Sequence, residues 1–304
     1  MDKHWMNYCK MSIVNFMAFP ETASGKGPIV QSIARIAEDD FFDAIEIAGI
    51  QEAEVRADVR RMLEISQLQV CLCAHPTILS QKLNLNSLDK DERQKAMQSM
   101  VELIDQAAEL GAQSFAFLSG KDPGETDRQT AMDILVDSIK TLCAYGEKSN
   151  LTLTLEIFDR QVDKKALVGP VKDALSVARV VRKDYPRFGL LYDLSHMPLL
   201  EETPGDMSII REFITHIHVG NCVKVLGRSL YGDLHPYFGY TGSVNGVAEL
   251  AEFIRALFDI GYLDEKKDPK PWIGFEVKPQ APDQTSELMI ANAKRTWRQA
   301  WALV

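Results

Sequence analysis

Four side chains of types that commonly bind metal ions each follow a separate run of apolar residues. They are Glu156 in LTLTLEIF, Asp193 in FGLLYDL, His218 in ITHIHVGN and Glu276 in WIGFEVKP. Each run is typical of a buried parallel strand. Because an ionised carboxylate is costly to desolvate unless it is paired or bound to a cation, four such strand ends indicate a shared partner. A divalent cation is the simplest one.

Three carboxylates and one imidazole form a fairly hard set of donors. We expect them to bind one divalent ion, with Mn²⁺ as the first choice and Mg²⁺, Co²⁺ or Zn²⁺ as alternatives. The absence of cysteine at these positions excludes a thiolate-rich zinc site. Taken singly, a glutamate at a strand end is more often a solvated rim residue, and Asp193 could cap the turn that follows it. The joint pattern favours the metal site.

Strand-like runs and amphipathic helical runs alternate along the whole chain. The predicted strands are 11–19, 44–49, 69–75, 114–119, 151–158, 188–194, 214–220 and 272–278. The predicted helices are 28–38, 52–66, 90–110, 126–149, 172–184, 206–212, 246–260 and 283–302. Pro28 suits the first turn of its helix, Asp89 precedes another, and Gly111 and Gly261 lie where two helices should end.

Eight repeats of strand and helix predict a parallel sheet that closes into a (β/α)8 TIM barrel. The 304 residues fit a fold of about 250 residues before insertions, and with no linker composition in the chain we expect one domain over residues 1–304. The alternative is a doubly wound sheet with a smaller second domain. It is less favoured because AFPETASGKG, after the first strand, lacks the GxGxxG pattern. In a barrel, the four predicted metal ligands come from strands five to eight and meet at one rim.

Composition and charge restrict the partners. A net charge of −9 without a basic face makes nucleic acid an unexpected partner. The N-terminal MDKHWMNYCK lacks the apolar core of a signal peptide, and no apolar run approaches the ~20 residues that span a bilayer. The five scattered cysteines are typical of reduced thiols, so we expect a cytoplasmic protein. Cys71 and Cys73 share a strand face, and packing is favoured there over a thiol site.

The sequence resembles the xylose isomerase-like TIM-barrel superfamily, within it the sugar phosphate isomerase/epimerase branch that includes tagatose- and psicose-type ketose epimerases. The likeness runs from about His75 to the C-terminus. The motifs that carry it are LTLTLEIFDR, LLYDLSHMPLL, HIHVGN, YGDLHPYFGYTGSVNG, FEVKP and IANAKRTWRQAW. The resemblance implies a carbohydrate substrate and a homodimer or homotetramer.

The resemblance also implies roles for single residues. In these epimerases a Glu, an Asp, a His and a second Glu bind one divalent metal, and the matching positions are Glu156, Asp193, His218 and Glu276. His218 is preferred because the family's ligand is the second histidine of its H-x-H; His216, on the same strand face, is the reserve. The resemblance makes Glu156 and Glu276 the catalytic acid and base as well.

Five further residues are predicted to contact the substrate. The resemblance points to His196, three residues after the metal-binding Asp, and to Lys224, six residues after the metal-binding His, where relatives have Arg. Lys278 shares a strand face with the last predicted metal ligand. His75 ends the third predicted strand, although a core or rim histidine is nearly as expected there. His235 is also assigned to the substrate, although a loop histidine satisfied by backbone is the alternative.

Endonuclease IV, a trinuclear zinc enzyme of the same superfamily, is a more distant resemblance. It needs a histidine at the end of strand four, where this chain has Ser119 in FLSG. One of the three metal sites would therefore lack a ligand. Together with the net negative charge of the chain, this disfavours cleavage at abasic sites. Asp233 and His235 could hold a second ion with His196, but substrate contact or loop bracing is favoured.

Other residues have more ordinary interpretations. Arg160, Lys164 and Lys165 follow the fifth predicted strand and could meet an anionic substrate group, but a solvated charge run is the more frequent meaning. Trp272 and Trp297 are expected to pack rather than to stack on a sugar. Phosphoryl transfer and acyl-enzyme chemistry have no motif to support them.

The expected reaction is proton abstraction next to a carbonyl. The protein would be a metal-dependent isomerase or epimerase of a sugar, sugar phosphate or keto-sugar, working through an enediolate that the cation stabilises. Glu156 and Glu276 would remove and return the proton. One alternative is a metal-dependent dehydratase or lyase acting on a polyol or keto-sugar. A non-catalytic sugar-binding barrel is less favoured, because a complete ligand set would be unusual without chemistry.

Overall fold

Eight parallel strands form a single sheet in this computed structural model, which describes residues 3–304. Met1 and Asp2, the start of the segment searched for a targeting signal, lie outside the described residues. The strands are β1 Lys10–Ile13, β2 Ala44–Ala48, β3 Gln69–Cys73, β4 Ser114–Leu118, β5 Thr152–Glu156, β6 Gly189–Asp193, β7 Ile214–Gly220 and β8 Trp272–Glu276.

The order of the strands shows how the sheet closes. It runs β1-β8-β7-β6-β5-β4-β3-β2, and every neighbouring pair is parallel. A parallel bridge between Val14 and Glu46 then joins the two ends of this order. The sheet is therefore a nearly closed barrel, and the predicted (β/α)8 TIM barrel is confirmed.

Nine α-helices lie between and after the strands in residues 3–304, and only 3-10 helices connect β6 to β7. The α-helices are α1 Asn15–Ala18, α2 Ile29–Ala37, α3 Ala53–Ser66, α4 His75–Gln81, α5 Lys90–Glu109, α6 Arg128–Gly146, α7 Val171–Val181, α8 Val247–Asp259 and α9 Ser286–Ala302. In this part of the chain, no helix combines the length and the apolar character that crossing a membrane requires. The two shortest helices, α1 and α4, begin within two residues of the ends of β1 and β3.

Side chains alternate between the outside and the inside of the barrel, as the period of a strand requires. Outward side chains such as Ile45, Leu72 and Phe115 pack in the main core together with helix residues. A second, smaller cluster consists of Val14, Phe16, Ala48, Cys71, Cys73, Ala116 and Leu191. Cys71 and Cys73 thus pack in this cluster, in line with the favoured expectation. Because most of its members are small, the barrel can hold polar side chains as well.

The first strand is shorter than predicted. It ends at Ile13, and Asn15–Ala18 form α1 instead of continuing the strand to residue 19. A continuous apolar run such as MSIVNFMAF has no period that separates a strand from a buried helix, which explains the error. Pro28 directly precedes the next helix rather than lying in its first turn.

Two other elements differ from the prediction. The third strand ends at Cys73, and His75 begins α4 with Pro76 in its first turn, where a missing backbone N–H costs nothing. The predicted helix 206–212 is a 3-10 helix, Pro204–Ile209, with a capping box between Thr203 and Asp206. In both places a proline lies in the first turn of the helix.

The helix termini predicted from the sequence are confirmed at α5. The Asp89 side chain accepts hydrogen bonds from the backbone N–H groups of Asp91 and Glu92, and so caps the helix. Gly111 follows the helix with a φ of 72°, the left-handed conformation that glycine adopts without a steric penalty. Gly261 follows α8 with the same φ.

Candidate metal centre and substrate cavity

The four predicted metal ligands come together at the carboxyl end of the barrel. Glu156, Asp193 and Glu276 are the last residues of β5, β6 and β8, and His218 lies two residues before the end of β7. Asp193 and His218 are in register on neighbouring strands. All four side chains are buried, and each places a donor atom within 4.8 Å of the others. His218 Nδ1 is 3.0 Å from Glu276 Oε2 and 3.6 Å from Glu156 Oε1.

This arrangement fits a divalent cation. Three carboxylates in one buried cluster repel each other unless positive charge lies between them. The buried Glu156 Oε1 has no hydrogen-bond partner among residues 3–304, as expected of an atom whose partner is an ion. Carboxylate oxygens with one imidazole nitrogen suit Mn²⁺, Mg²⁺ or Co²⁺, and also accommodate Zn²⁺.

Burial and neighbouring charges move the carboxyl pKa values apart. Burial raises the pKa of Asp193 to about 6. Burial would also raise the pKa of Glu156, but the charges of His218 and His75 outweigh it and hold that pKa below its usual value. The pKa of Glu276 is lowered in the same way by neighbouring histidines. At neutral pH both glutamates are therefore carboxylates, the form that binds a cation or accepts a proton.

Glu46 on β2 is a member of this site that was not predicted from the sequence. It is fully buried, and its two oxygens lie 2.8 Å from His218 Nε2 and 3.1 Å from His216 Nε2. Burial would raise its pKa, but the two histidines hold it well below the usual value. Because an ionised carboxylate only accepts hydrogen bonds, both Nε2 atoms donate to it. Nδ1 of His218 faces Glu156 and Glu276, and loss of its proton would leave a lone pair directed at the place where a cation would bind.

The barrel interior is shaped around Glu46. A side chain at Gly274 would overlap the Glu46 carboxylate, so the glycine leaves the space that this carboxylate fills. His216, the reserve metal ligand, bonds to Glu46 and packs edge-on against Trp272 with ring centroids 5.6 Å apart. His216 is therefore a partner of Glu46 outside the four-donor cluster. A single charged residue inside the apolar run AIEIAGI is the sequence signal that could have identified Glu46.

A cavity of about 250 Å³, here called the metal cavity, opens onto three of the four donors, all except Asp193. Its polar lining consists of His75, Glu156, Lys164, His218, Asp233, His235, Glu276 and Lys278. Its apolar lining includes Val14, Phe16, Met17 and Phe158. A cavity that combines convergent polar groups with an apolar wall is the usual form of a small-molecule site.

Comparison with known proteins identifies the family. Residues 33–298 match the family model described as Xylose isomerase-like TIM barrel. This chain belongs to the xylose isomerase-like TIM-barrel family. Comparison with curated protein sequences gives no match. The homodimer or homotetramer and the cytoplasmic location expected from the sequence stay predictions.

Solved structures share the fold of this xylose isomerase-like barrel at low sequence identity. An L-ribulose 3-epimerase has a TM-score of 0.75 and 18% identity, with 97% of this chain and 95% of that chain covered. The IolI protein with a zinc atom has a TM-score of 0.73 and 16% identity, covering 96% and 97%. The D-psicose 3-epimerase with D-tagatose from Clostridium cellulolyticum H10 has a TM-score of 0.68 and 18% identity, covering 96% of each chain.

The xylose isomerase-like barrel brings three of the five predicted substrate contacts to the metal cavity. His75, His235 and Lys278 line it, whereas His196 and Lys224 are not among its lining residues. His196 is buried behind it, with Nδ1 donating to the backbone oxygen of Ile157 at 2.8 Å. Lys224 is exposed, because the chain leaves the rim after β7 ends at residue 220. Contact of these two residues with the substrate stays a prediction.

The loop after β7 carries a buried network beside the metal cavity. Asp233 lies 2.8 Å from Lys164 Nζ, 2.8 Å from His235 Nε2 and 3.2 Å from His196 Nε2. His235 has a φ of 50°, a strained conformation for a residue with a side chain. Burial would lower the pKa of His235, but Asp233 and other carboxylates raise it to about 9. The network holds His235 Nε2 3.5 Å from Glu276 Oε1.

This geometry supports loop bracing by Asp233. Donor atoms of Asp193, His196 and His235 also lie within 4.8 Å of one another, so a second ion stays a prediction. Ser119, at the position where endonuclease IV has a histidine, accepts a hydrogen bond from the backbone N–H of Val168 at 3.0 Å. Its hydroxyl therefore holds the backbone of the segment that follows β5.

The charged residues after β5 form ion pairs, so their interpretation as a solvated charge run is wrong for two of the three. Arg160 bonds to Asp173 and to a backbone oxygen. Lys164 is half-buried and pairs with Asp163 and Asp233. Only Lys165, of these three, is exposed. Trp297 is buried in the core and Trp272 packs on a neighbouring ring, as predicted.

Proposed function

We propose that this protein is a divalent-metal-dependent sugar isomerase or epimerase. The observation that carries the proposal is the pair Glu156 and Glu276, two ionised glutamates in one buried donor cluster that opens onto a small-molecule cavity. Structural neighbours support a carbohydrate substrate, since they include an L-ribulose 3-epimerase, a D-psicose 3-epimerase and a 3-keto-D-glucoside 4-epimerase.

Glu156, Asp193, His218 and Glu276 would hold the cation, with Mn²⁺ as the first candidate and Mg²⁺, Co²⁺ or Zn²⁺ as alternatives. When bound, the cation supplies positive charge beside the negative charge that develops on a carbonyl oxygen as the adjacent carbon loses its proton. Glu46 contributes through His218, because its hydrogen bond fixes the imidazole with Nδ1 toward the other donors.

Glu156 and Glu276 would divide the transfer of the proton. One removes it from the carbon next to the carbonyl, and the other returns a proton to the intermediate. Return to the same carbon from the opposite side inverts that centre, whereas return to the adjacent carbon interconverts aldose and ketose. Each glutamate has an imidazole beside it: His75 Nε2 is 2.9 Å from Glu156 Oε2, and His235 Nε2 is 3.5 Å from Glu276 Oε1. These imidazoles limit the rotation of the two carboxylate groups.

The test is incorporation of solvent deuterium into sugars next to the carbonyl, with Mn²⁺ added and a panel of ketoses, keto-sugars and polyols. The wild-type protein should incorporate deuterium. Glu156→Gln and Glu276→Gln should each lower the rate by about 10²–10⁴-fold, the usual contribution of general acid–base catalysis. Glu252→Gln, an exposed position on α8, is the matched control and should keep the wild-type rate.

Each other outcome has a distinct meaning. A Glu276→Gln variant that retains most of its rate would refute the acid–base role. Product that has lost water or a substituent would indicate the dehydratase or lyase alternative. Binding of a sugar without any deuterium uptake would indicate a sugar-binding barrel.

A further inference from the structure

A second cavity adjoins the metal cavity at the rim. It has a volume of about 790 Å³ and is here called the outer cavity. It lies over the carboxyl end of β2, where residues 49–51 form part of its lining. The outer cavity is about three times the volume of the metal cavity.

The two cavities share residues from two separate segments. Pro20 and Ala23, after α1, line both, and so do Pro76 and Leu79 of α4. The segments follow β1 and β3, so they stand on either side of the end of β2. Residues on two facing segments that contact both spaces form the sides of a passage between them.

The lining of the outer cavity is polar but carries little charge. Hydroxyl and amide groups dominate, including those of Thr77, Ser80, Gln51, Gln81 and Gln106. These groups both donate and accept hydrogen bonds, as the hydroxyls of a sugar do. Among the lining residues the only charged side chain is Glu102. A site that binds a phosphate group would instead contain lysine or arginine side chains.

The passage itself offers an apolar surface. Leu79 is 46% exposed although it lies beside a buried polar site, and Ala23 and the two prolines adjoin it. The C–H face of a pyranose ring packs on such a surface, while its hydroxyl groups point outward. The metal cavity, at about 250 Å³, lies at or below the lower end of ligand cavities, which are commonly about 300–1,000 Å³. A ligand larger than one monosaccharide must therefore extend through the passage.

We propose that the outer cavity binds a neutral glycosyl unit attached to the reacting sugar, so that the preferred substrate is a glycosylated keto-sugar. This inference rests on the proposed function, because the reacting carbonyl must lie at Glu156 and Glu276. It selects against a sugar phosphate, whose anionic group would find no cationic side chain among the lining residues of the outer cavity.

The test compares one ketose with and without an attached sugar. The probes are D-fructose, maltulose and isomaltulose; the last two carry a glucosyl unit on O4 and O6 of fructose. Deuterium uptake next to the carbonyl is followed by NMR with the Mn²⁺-loaded protein. At least one glucosylated probe should show a kcat/KM 10-fold or more above that of D-fructose.

Variants of the outer cavity locate the effect. Ser80→Trp, at an exposed position that lines the outer cavity and not the metal cavity, should remove the preference for the glucosylated probe and leave D-fructose within two-fold of wild type. Gln81→Ala, at an exposed position in the outer cavity only, should weaken the preference without any risk to folding. Ala57→Trp, exposed on α3 and outside the lining of both cavities, is the control and should change nothing.

The inference is overturned if D-fructose is turned over at least as well as both glucosylated probes, or if Ser80→Trp slows all three probes equally. If no probe takes up deuterium, the proposed function fails, and saturation-transfer NMR then decides the outer cavity alone. Transfer to the glucosyl protons of isomaltulose in the wild type, lost in Ser80→Trp, would support the glycosyl site. No transfer to those protons in the wild type would overturn it.

Discussion

The two halves of the barrel rim differ in the residues at the carboxyl ends of their strands. The strands of one half end in or near donor groups: Glu156 on β5, Asp193 on β6, His218 on β7 and Glu276 on β8. The strands of the other half end in apolar or small residues: Ile13 on β1, Ala48 on β2, Cys73 on β3 and Leu118 on β4. The first half supplies chemistry, and the second half leaves space for the passage and the outer cavity.

This division explains how one site can be both reactive and selective. Donors from neighbouring strands converge because strands of a barrel meet at one rim. The opposite segments, after β1 and β3, contribute no member of the four-donor cluster, so their side chains can set the shape of the cavity. Glu46 crosses the division, since it reaches from β2 to His218 on β7. Four substitutions test this division of the rim, from the donors to the surface.

The largest effect is expected from His218→Ala in the donor half. It removes a metal donor and leaves the buried Glu46 carboxylate without its closest partner. Removing one partner of a buried ion pair commonly costs about 3–5 kcal/mol, so the free energy of unfolding should fall by that amount in urea denaturation. Elemental analysis should show loss of the bound metal. A variant with wild-type stability and metal content would mean that His218 is peripheral to the site.

A smaller effect is expected from Glu46→Gln, which keeps the shape of the side chain and removes its charge. The hydrogen bond that orients His218 is weakened, so Mn²⁺ affinity measured by calorimetric titration should fall by about 10–100-fold. Glu54→Gln, at an exposed position on α3, is the control. Unchanged Mn²⁺ affinity in Glu46→Gln would show that the bond from Glu46 does not position the ligand.

In the half that leaves space, Leu79→Ala should change substrate binding without changing the chemical step. Loss of a half-exposed apolar contact of about 1 kcal/mol corresponds to roughly a five-fold rise in KM, with kcat unchanged. Steady-state kinetics on the best ketose substrate measures both constants. A fall in kcat with constant KM would place chemistry in this half and so contradict the division.

The smallest effect is expected from Lys224→Ala, because that side chain is exposed and is not among the lining residues of the metal cavity. Its kcat/KM should stay within two-fold of wild type. Lys278→Ala, which removes a side chain that lines the cavity, is the matched comparison and should have the larger effect. A ten-fold loss in Lys224→Ala would support the role that the family resemblance implies.

Much of the fold could be predicted from local patterns. Apolar strand runs, capping residues such as Asp89 and glycines such as Gly111 act within a few residues of chain, so their signals survive in a single sequence. The errors occurred where a local pattern is ambiguous: MSIVNFMAF has no period, and His75 could end a strand or begin a helix. In each case the neighbouring segments, and not the run itself, decide the outcome.

The four donors could be identified from local sequence, because a carboxylate or imidazole that ends a buried strand needs a partner wherever the strand lies. The family and the barrel could also be identified in this way, from motifs and the number of repeats. Three features required the folded structure: the membership of Glu46 in the site, the absence of His196 and Lys224 from the lining of the metal cavity, and the second cavity beside the first. The reason is physical: Glu46 and His218 are bonded across 172 residues of chain, and a contact of that range depends on how the barrel closes.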